Sequence, residues 1–174
     1  MFSTGSIIKN RNFENIADGI TQVHKLYLQC SFKITHMHTD SEFEPIRKEM
    51  TTLGIKLNYA SKKEHVPEIE SFIWTVKARV RSTQATMPFK RIPKLIIVHL
   101  VVSAIFWINE FLPSKPGAGL SDTKCPRQFI LGNMVDYKNV CRLQPGEYVQ
   151  VHQEDEPLNT IAIDRTVGAI ALGP

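Results

Sequence analysis

Val66, Ile69, Ile73, Val76 and Val80 recur at spacings of 3, 4, 3 and 4. That rhythm constrains the fold more than any other feature, because it is the period of one face of an α-helix. It predicts a helix over residues 66–86 with an apolar stripe turned to a core. Pro67 falls in the first turn, where its missing N–H interrupts no hydrogen bond. Met87-Pro88-Phe89 ends the helix. Glu70, Trp74, Lys77 and Arg81 follow at 4, 3 and 4 along the neighbouring stripe. Glu70 is therefore expected to border the core and to share a face with two cations and an aromatic ring. A second long helix is predicted over 92–112, with Pro93 near its start and Pro113 just past its end. Its residues 95–108 form the most apolar segment, 14 long and interrupted by His99 and Ser103. This falls short of the roughly 18 residues that span a bilayer, so a buried helix is expected.

The rest of the chain alternates short elements. Residues 2–8 read as a strand. Ile16, Ile20, Val23 and Tyr27, at spacings of 4, 3 and 4, predict a helix over 16–28. Phe32, Ile34 and His36 alternate toward Asp40, which predicts a strand over 32–40 with the carboxylate at its end. A helix over 43–53 is stopped by Gly54, a strand follows at 55–59, and 60–64 is a polar loop. Residues 113–123 form a Pro, Gly and Ser-rich loop, and 126–131 a short helical piece ending at Gly132. Strands are expected at 147–152, 161–163 and 168–172, with an acidic turn at 154–159. This order predicts an α/β fold, a sheet covered by helices, with a small β tail.

Charge is unevenly spread. Residues 1–94 carry 15 Lys and Arg against 9 Asp and Glu, whereas 95–174 carry 6 against 8. Between 71 and 94 stand Lys77, Arg79, Arg81, Lys90, Arg91 and Lys94 with no acid. Local basicity of this kind suits a polyanion, although a solvated helix face gives the same pattern. Cys30, Cys125 and Cys141 are odd in number and widely spaced, so neither a disulfide framework nor zinc is expected. With no long apolar run after Met1, the expectation is an intracellular protein, nuclear or cytoplasmic, neither secreted nor membrane-bound.

Two carboxylates stand out. Asp40 ends a predicted strand and Glu70 opens a predicted helix that carries only basic charges beyond it. A strand-end Asp and a helix Glu beside a basic flank suit two-metal chemistry on nucleic acid. The competing reading is helix capping and favourable placement at a helix start, a role open to Glu68 as well. His36 and His38 share a strand face with Asp40; partly buried structural histidines are the expectation there rather than a metal cluster. His24, His99 and His152 read as structural or surface groups. Trp74 beside Lys77 could stack on a base, but an aromatic at the edge of a core is the commoner case.

Several motifs, taken in order, carry a family resemblance. They are Thr39-Asp40-Ser41-Glu42-Phe43-Glu44, His65-Val66-Pro67-Glu68-Ile69-Glu70, Phe106-Trp107-Ile108-Asn109, Pro126-Arg127 through Gly132, Tyr148-Val149-Gln150-Val151-His152 and Gly168-Ala169-Ile170-Ala171-Leu172-Gly173. In these the chain resembles the integrase region of copia-type retrotransposon polyproteins, over nearly its whole length. The resemblance implies an RNase H-like integrase core, incomplete at the N-terminus, over 1–140, and a small C-terminal β extension over 141–174. It implies a DDE-type polynucleotidyl transferase using two Mg²⁺ (or Mn²⁺) ions, with Asp40 and Glu70 as catalytic metal ligands. Lys62, Lys63, Lys77 and Arg81 would contact phosphates, and Arg79, Lys90 and Arg91 extend the same nucleic-acid-binding surface. The implied partner is DNA, both element ends and target, and the resemblance leaves room for a homo-oligomer.

The family's first Asp lies on a first strand. Here Asp18 is the only Asp before Asp40 and falls in a predicted helix, and Ser71 stands where the family usually has Arg. The expectation is therefore a fragment in which the three-carboxylate set is incomplete, without joining activity of its own. The alternatives are a non-catalytic nucleic-acid-binding module using residues 66–86 and 88–94, or a relic with no selected role.

Overall fold

Asn12 starts the first helix: its Oδ1 accepts a hydrogen bond from the Asn15 N–H at 3.0 Å, a regular N-cap. In the computed structural model, which describes residues 2–60, 67–112, 121–152 and 166–173, this helix is α1, Phe13–Gln29. It ends in a Schellman turn, with the Phe32 N–H on the Tyr27 carbonyl and the Ser31 N–H on that of Leu28. Ser31 takes the left-handed conformation, φ 64°, that such a turn requires. The turn holds Phe32, so the strand expected from 32 begins only at His36. That strand is β1, His36–Asp40.

After β1 comes a 3₁₀ turn, Ser41–Ile46, and then α2, Arg47–Thr52. Pro45 lies inside the 3₁₀ turn, and lacking an N–H it divides the single helix expected over 43–53. α2 closes with a second Schellman turn on Gly54, φ 77°, where the Ile55 N–H reaches the Met50 carbonyl at 2.9 Å. β2, Lys56–Ala60, follows and pairs parallel with β1, His36 opposite Lys56 and Asp40 opposite Ala60. Residues 41–55 are thus the crossover that a parallel pair needs.

The next elements are α3, Pro67–Thr86, α4, Lys94–Glu110, α5, Pro126–Leu131, and a short α6, Tyr137–Val140, which no periodicity announced. Last comes an antiparallel hairpin of β3, Tyr148–His152, and β4, Thr166–Ile170. The fold is mixed α/β. Residues 2–8 do not form a strand. The expected loop at 61–64, the first position of the α3 stripe at Val66, most of the 113–123 loop, the acidic turn at 154–159 and the strand at 161–163 lie outside the described residues.

The chain divides into two units. The first comprises residues 1–76 and 105–134. Its core is the fully buried trio Ile46, Met50 and Ile55, packed by Ile16, Ala17 and Ile20 of α1, Met37 of β1 and Leu57 of β2. The second comprises residues 77–104 and 135–174 and buries Val80, Met87, Leu100 and Ala104. There Gly146 sits against Met87 at φ 89°, and the Gly146 N–H extends the hairpin ladder to the Ala171 carbonyl.

Two burial expectations are overturned. In α3 the stripe is buried only at Val76 and Val80; Ile69 and Ile73 are each 45% exposed. Periodicity shows which residues share a face, not whether a partner covers it. In α4, Leu100 and Ala104 are buried but Leu95 and Val102 are exposed, so this helix is half-buried rather than buried. No helix among the described residues is long and apolar enough to cross a membrane.

Candidate functional site

Asp40 is the last residue of β1 and caps the 3₁₀ turn that follows. Its Oδ1 accepts from the Ser41 N–H at 2.7 Å. The carboxylate is exposed, so capping leaves Oδ2 open to solvent. Glu70 lies exposed in the first turn of α3, the helix that follows β2. Both carboxylates therefore belong to the first unit, and the chain leads to both from the carboxyl ends of the paired strands. Ligands of parallel sheets commonly bind at that end. The expectation that Glu70 borders the core is corrected: Glu70 is exposed, and Trp74, one turn further along α3, is 69% exposed. Trp74 is thus not an aromatic at the edge of a core.

His36 and His38 are both exposed with Asp40, while Met37 and Thr39 turn inward. The expected partial burial of these histidines is not found, because the inward face of β1 is the odd-numbered one. His24 is buried in α1. Carboxylate oxygens are the donor type Mg²⁺ and Mn²⁺ take. However, no three His, Cys, Asp or Glu side chains gather into a metal centre among the described residues. Asp40 and Glu70 fit such an ion in donor chemistry but not in number, so no catalytic step is derived through one.

The basic residues fall in the second unit. Lys77, Arg79 and Arg81 on α3, and Lys90, Arg91 and Lys94 around the start of α4, are all exposed. None of them forms an ion pair among the described residues. On a helix Lys77 and Arg81 share a face at a spacing of four, while Arg79 points elsewhere. Lys62 and Lys63 lie outside the described residues.

Three polar arrangements in the first unit escape sequence reasoning. Arg47 donates from Nε to the Tyr59 hydroxyl at 3.0 Å, with its guanidinium 4.8 Å from the ring centre. Asn109 pins the backbone of Ser3 through two hydrogen bonds. Glu110, its side chain fully buried, pairs with Arg127 at 3.3 Å, and Arg127 stacks on Phe106. Burial pushes the Glu110 carboxyl up, and the Arg127 charge pulls it partly back. A carboxylate closing so apolar a helix was the one visible signal for this pair. Its partner lay 17 residues on, at no helical spacing.

Comparison of the chain with protein-family models and with curated proteins finds no match.

Proposed function

We propose that this chain is an integrase-derived, RNase H-like domain whose present work is binding nucleic acid without sequence preference. The observation that carries the binding half is the run of exposed cations from Lys77 to Lys94, unrelieved by any acid and unpaired among the described residues. Such a surface meets a phosphate backbone by displacing counterions, a term that is strong, sequence-blind and salt-sensitive. The ancestral half is supported by the parallel β1–β2 pair, with Asp40 at its carboxyl end and Glu70 in the first turn of the next helix. In such a domain Asp40 and Glu70 would hold Mg²⁺ or Mn²⁺ together with substrate phosphate oxygens. A third carboxylate would be needed before end-joining could proceed.

The test is to bind fluorescent duplexes of unrelated sequence across a series of salt concentrations. Affinities within about threefold of one another, falling steeply and linearly on a log–log plot, are expected for backbone recognition. A strong preference for one duplex, or binding insensitive to salt, would overturn the reading. A joining assay with Mn²⁺ is expected to give no product.

A further inference from the structure

The first unit holds a cavity of about 920 Å³ with a largely aliphatic wall. Its floor is one face of α1, where Ile16, Ile20 and Val23 recur at helical spacing. On one side stand Thr4, Ser6 and Ile8, alternate residues of the stretch 4–8, before Lys9, Asn10 and Arg11 line it consecutively, and on another stands Met37 of β1. Period-two lining is the signature of an extended chain showing one face.

Both flanks carry unused backbone groups. Residues 4–8 make no backbone hydrogen bond among the described residues. In β1 the ladder to β2 uses the odd-numbered residues, as the Lys56 N–H on the Thr35 carbonyl establishes. The N–H and C=O groups of His36 and His38 and the N–H of Asp40 therefore face the other edge, which is unpaired among the described residues, while the Asp40 carbonyl caps the 3₁₀ turn. Parallel pairs occur almost only within larger, covered sheets, and an open edge beside an apolar trough is a template for another strand. At the rim Lys9 is exposed and forms no ion pair among the described residues.

We propose that this trough accepts, in trans, an extended peptide segment that adds to the open edge of β1. Its apolar side chains lie at alternate positions against α1, and an acidic residue at one end faces Lys9. Main-chain hydrogen bonds give such an addition its affinity and the alternating pockets its specificity. The charge at Lys9 selects a segment with an acidic end over a neutral one. All the residues that line the trough belong to the first unit and none is among the basic residues 77–94, so the inference does not rest on nucleic-acid binding.

The probe is a labelled synthetic 12-residue peptide alternating Val and Thr with Asp at one end, titrated by fluorescence anisotropy into the full chain. A control peptide has the same composition with its Val residues clustered. The alternating peptide is expected to bind at least about tenfold tighter, the factor that roughly one or two hydrogen bonds supply. Its binding should slow amide exchange at His36, His38 and Asp40. His38→Pro removes an N–H from the open edge alone and is expected to weaken binding about tenfold, whereas His38→Ala keeps that N–H and binds as the parent does. If His38→Pro fails to fold, Val23→Lys on the trough floor provides the same loss. Equal binding of the two peptides would overturn the proposal, as would binding of a small apolar dye but neither peptide. Dimerisation of the chain that the alternating peptide does not compete away would also overturn it.

Discussion

Asn109 and Ser3 hold one another as two strand residues would: the Ser3 N–H donates to Asn109 Oδ1 at 2.9 Å, and Asn109 Nδ2 donates to the Ser3 carbonyl at 2.6 Å. Both residues are buried, so neither bond is readily replaced by water. One side chain of α4 thus satisfies both backbone groups of a residue 106 positions away.

Asn109→Ala is expected to leave those two buried groups without partners and to cost about 2 kcal/mol of unfolding free energy. The urea midpoint measures it. Limited proteolysis should cut residues 2–8 faster in the variant. A midpoint unchanged from the parent would mean that the segment is held by something else.

Ser31→Gly should stabilise the chain. Ser31 occupies the left-handed position of the Schellman turn after α1, φ 64°, where a side chain costs about 1 kcal/mol or more and glycine does not. The greater freedom of glycine in the unfolded chain takes back part of this. A net gain of about 0.5 kcal/mol is expected from thermal unfolding. A lower melting temperature would contradict the turn assignment.

Stability should carry a signature of Glu110. Its folded carboxyl titrates above the ordinary value of 4.5, chiefly because it is buried. Between the unfolded and folded values the native state holds more protons, so this contribution is full below the unfolded value and is lost as pH rises through the folded one. The parent should therefore gain on Glu110→Gln as pH falls from about 7 toward about 4. The opposite slope would mean that attraction to Arg127 outweighs burial.

Much of the secondary structure was legible because it depends on local chemistry. The Ile16–Ile20–Val23 rhythm and the glycines at 54 and 132 act within a few residues of themselves, whereas the Asn12 cap, equally local, went unread and starts α1 at Phe13 rather than Ile16. Expectations failed where a distant partner decides. Residues 2–8 have strand-like composition, but the described residues provide no strand to pair them. Ile69 and Ile73 fit the stripe on α3 and remain exposed. Pro45 was in plain view, yet its division of the 43–53 helix was not expected. Asp40 and Glu70 were readable as candidates from their places at a strand end and a helix start. Their exposure, and the pairing of Arg127 with Glu110, required the tertiary fold.

If Asp40 and Glu70 descend from a metal site, each should still contribute to cation binding when DNA supplies phosphate oxygens. Asp40→Asn and Glu70→Gln are each expected to weaken Mn²⁺ binding to the protein–duplex complex about tenfold or more, since losing even an outer-shell partner costs that much. Electron paramagnetic resonance of free Mn²⁺ reads the affinity. Equal affinity in parent and variants would remove both residues from the proposed site.

The most direct measurement is the salt dependence of duplex binding by the parent and by a variant in which Lys77, Arg79 and Arg81 are all Gln. If these side chains contact phosphates, the variant binds more weakly at every salt concentration. Its log–log slope should be shallower by about 1.8, about 0.9 for each of Lys77 and Arg81, the two that share a face. A parallel line, or binding unchanged, would contradict the account, because the exposed cations of α3 would then not be the surface that meets nucleic acid.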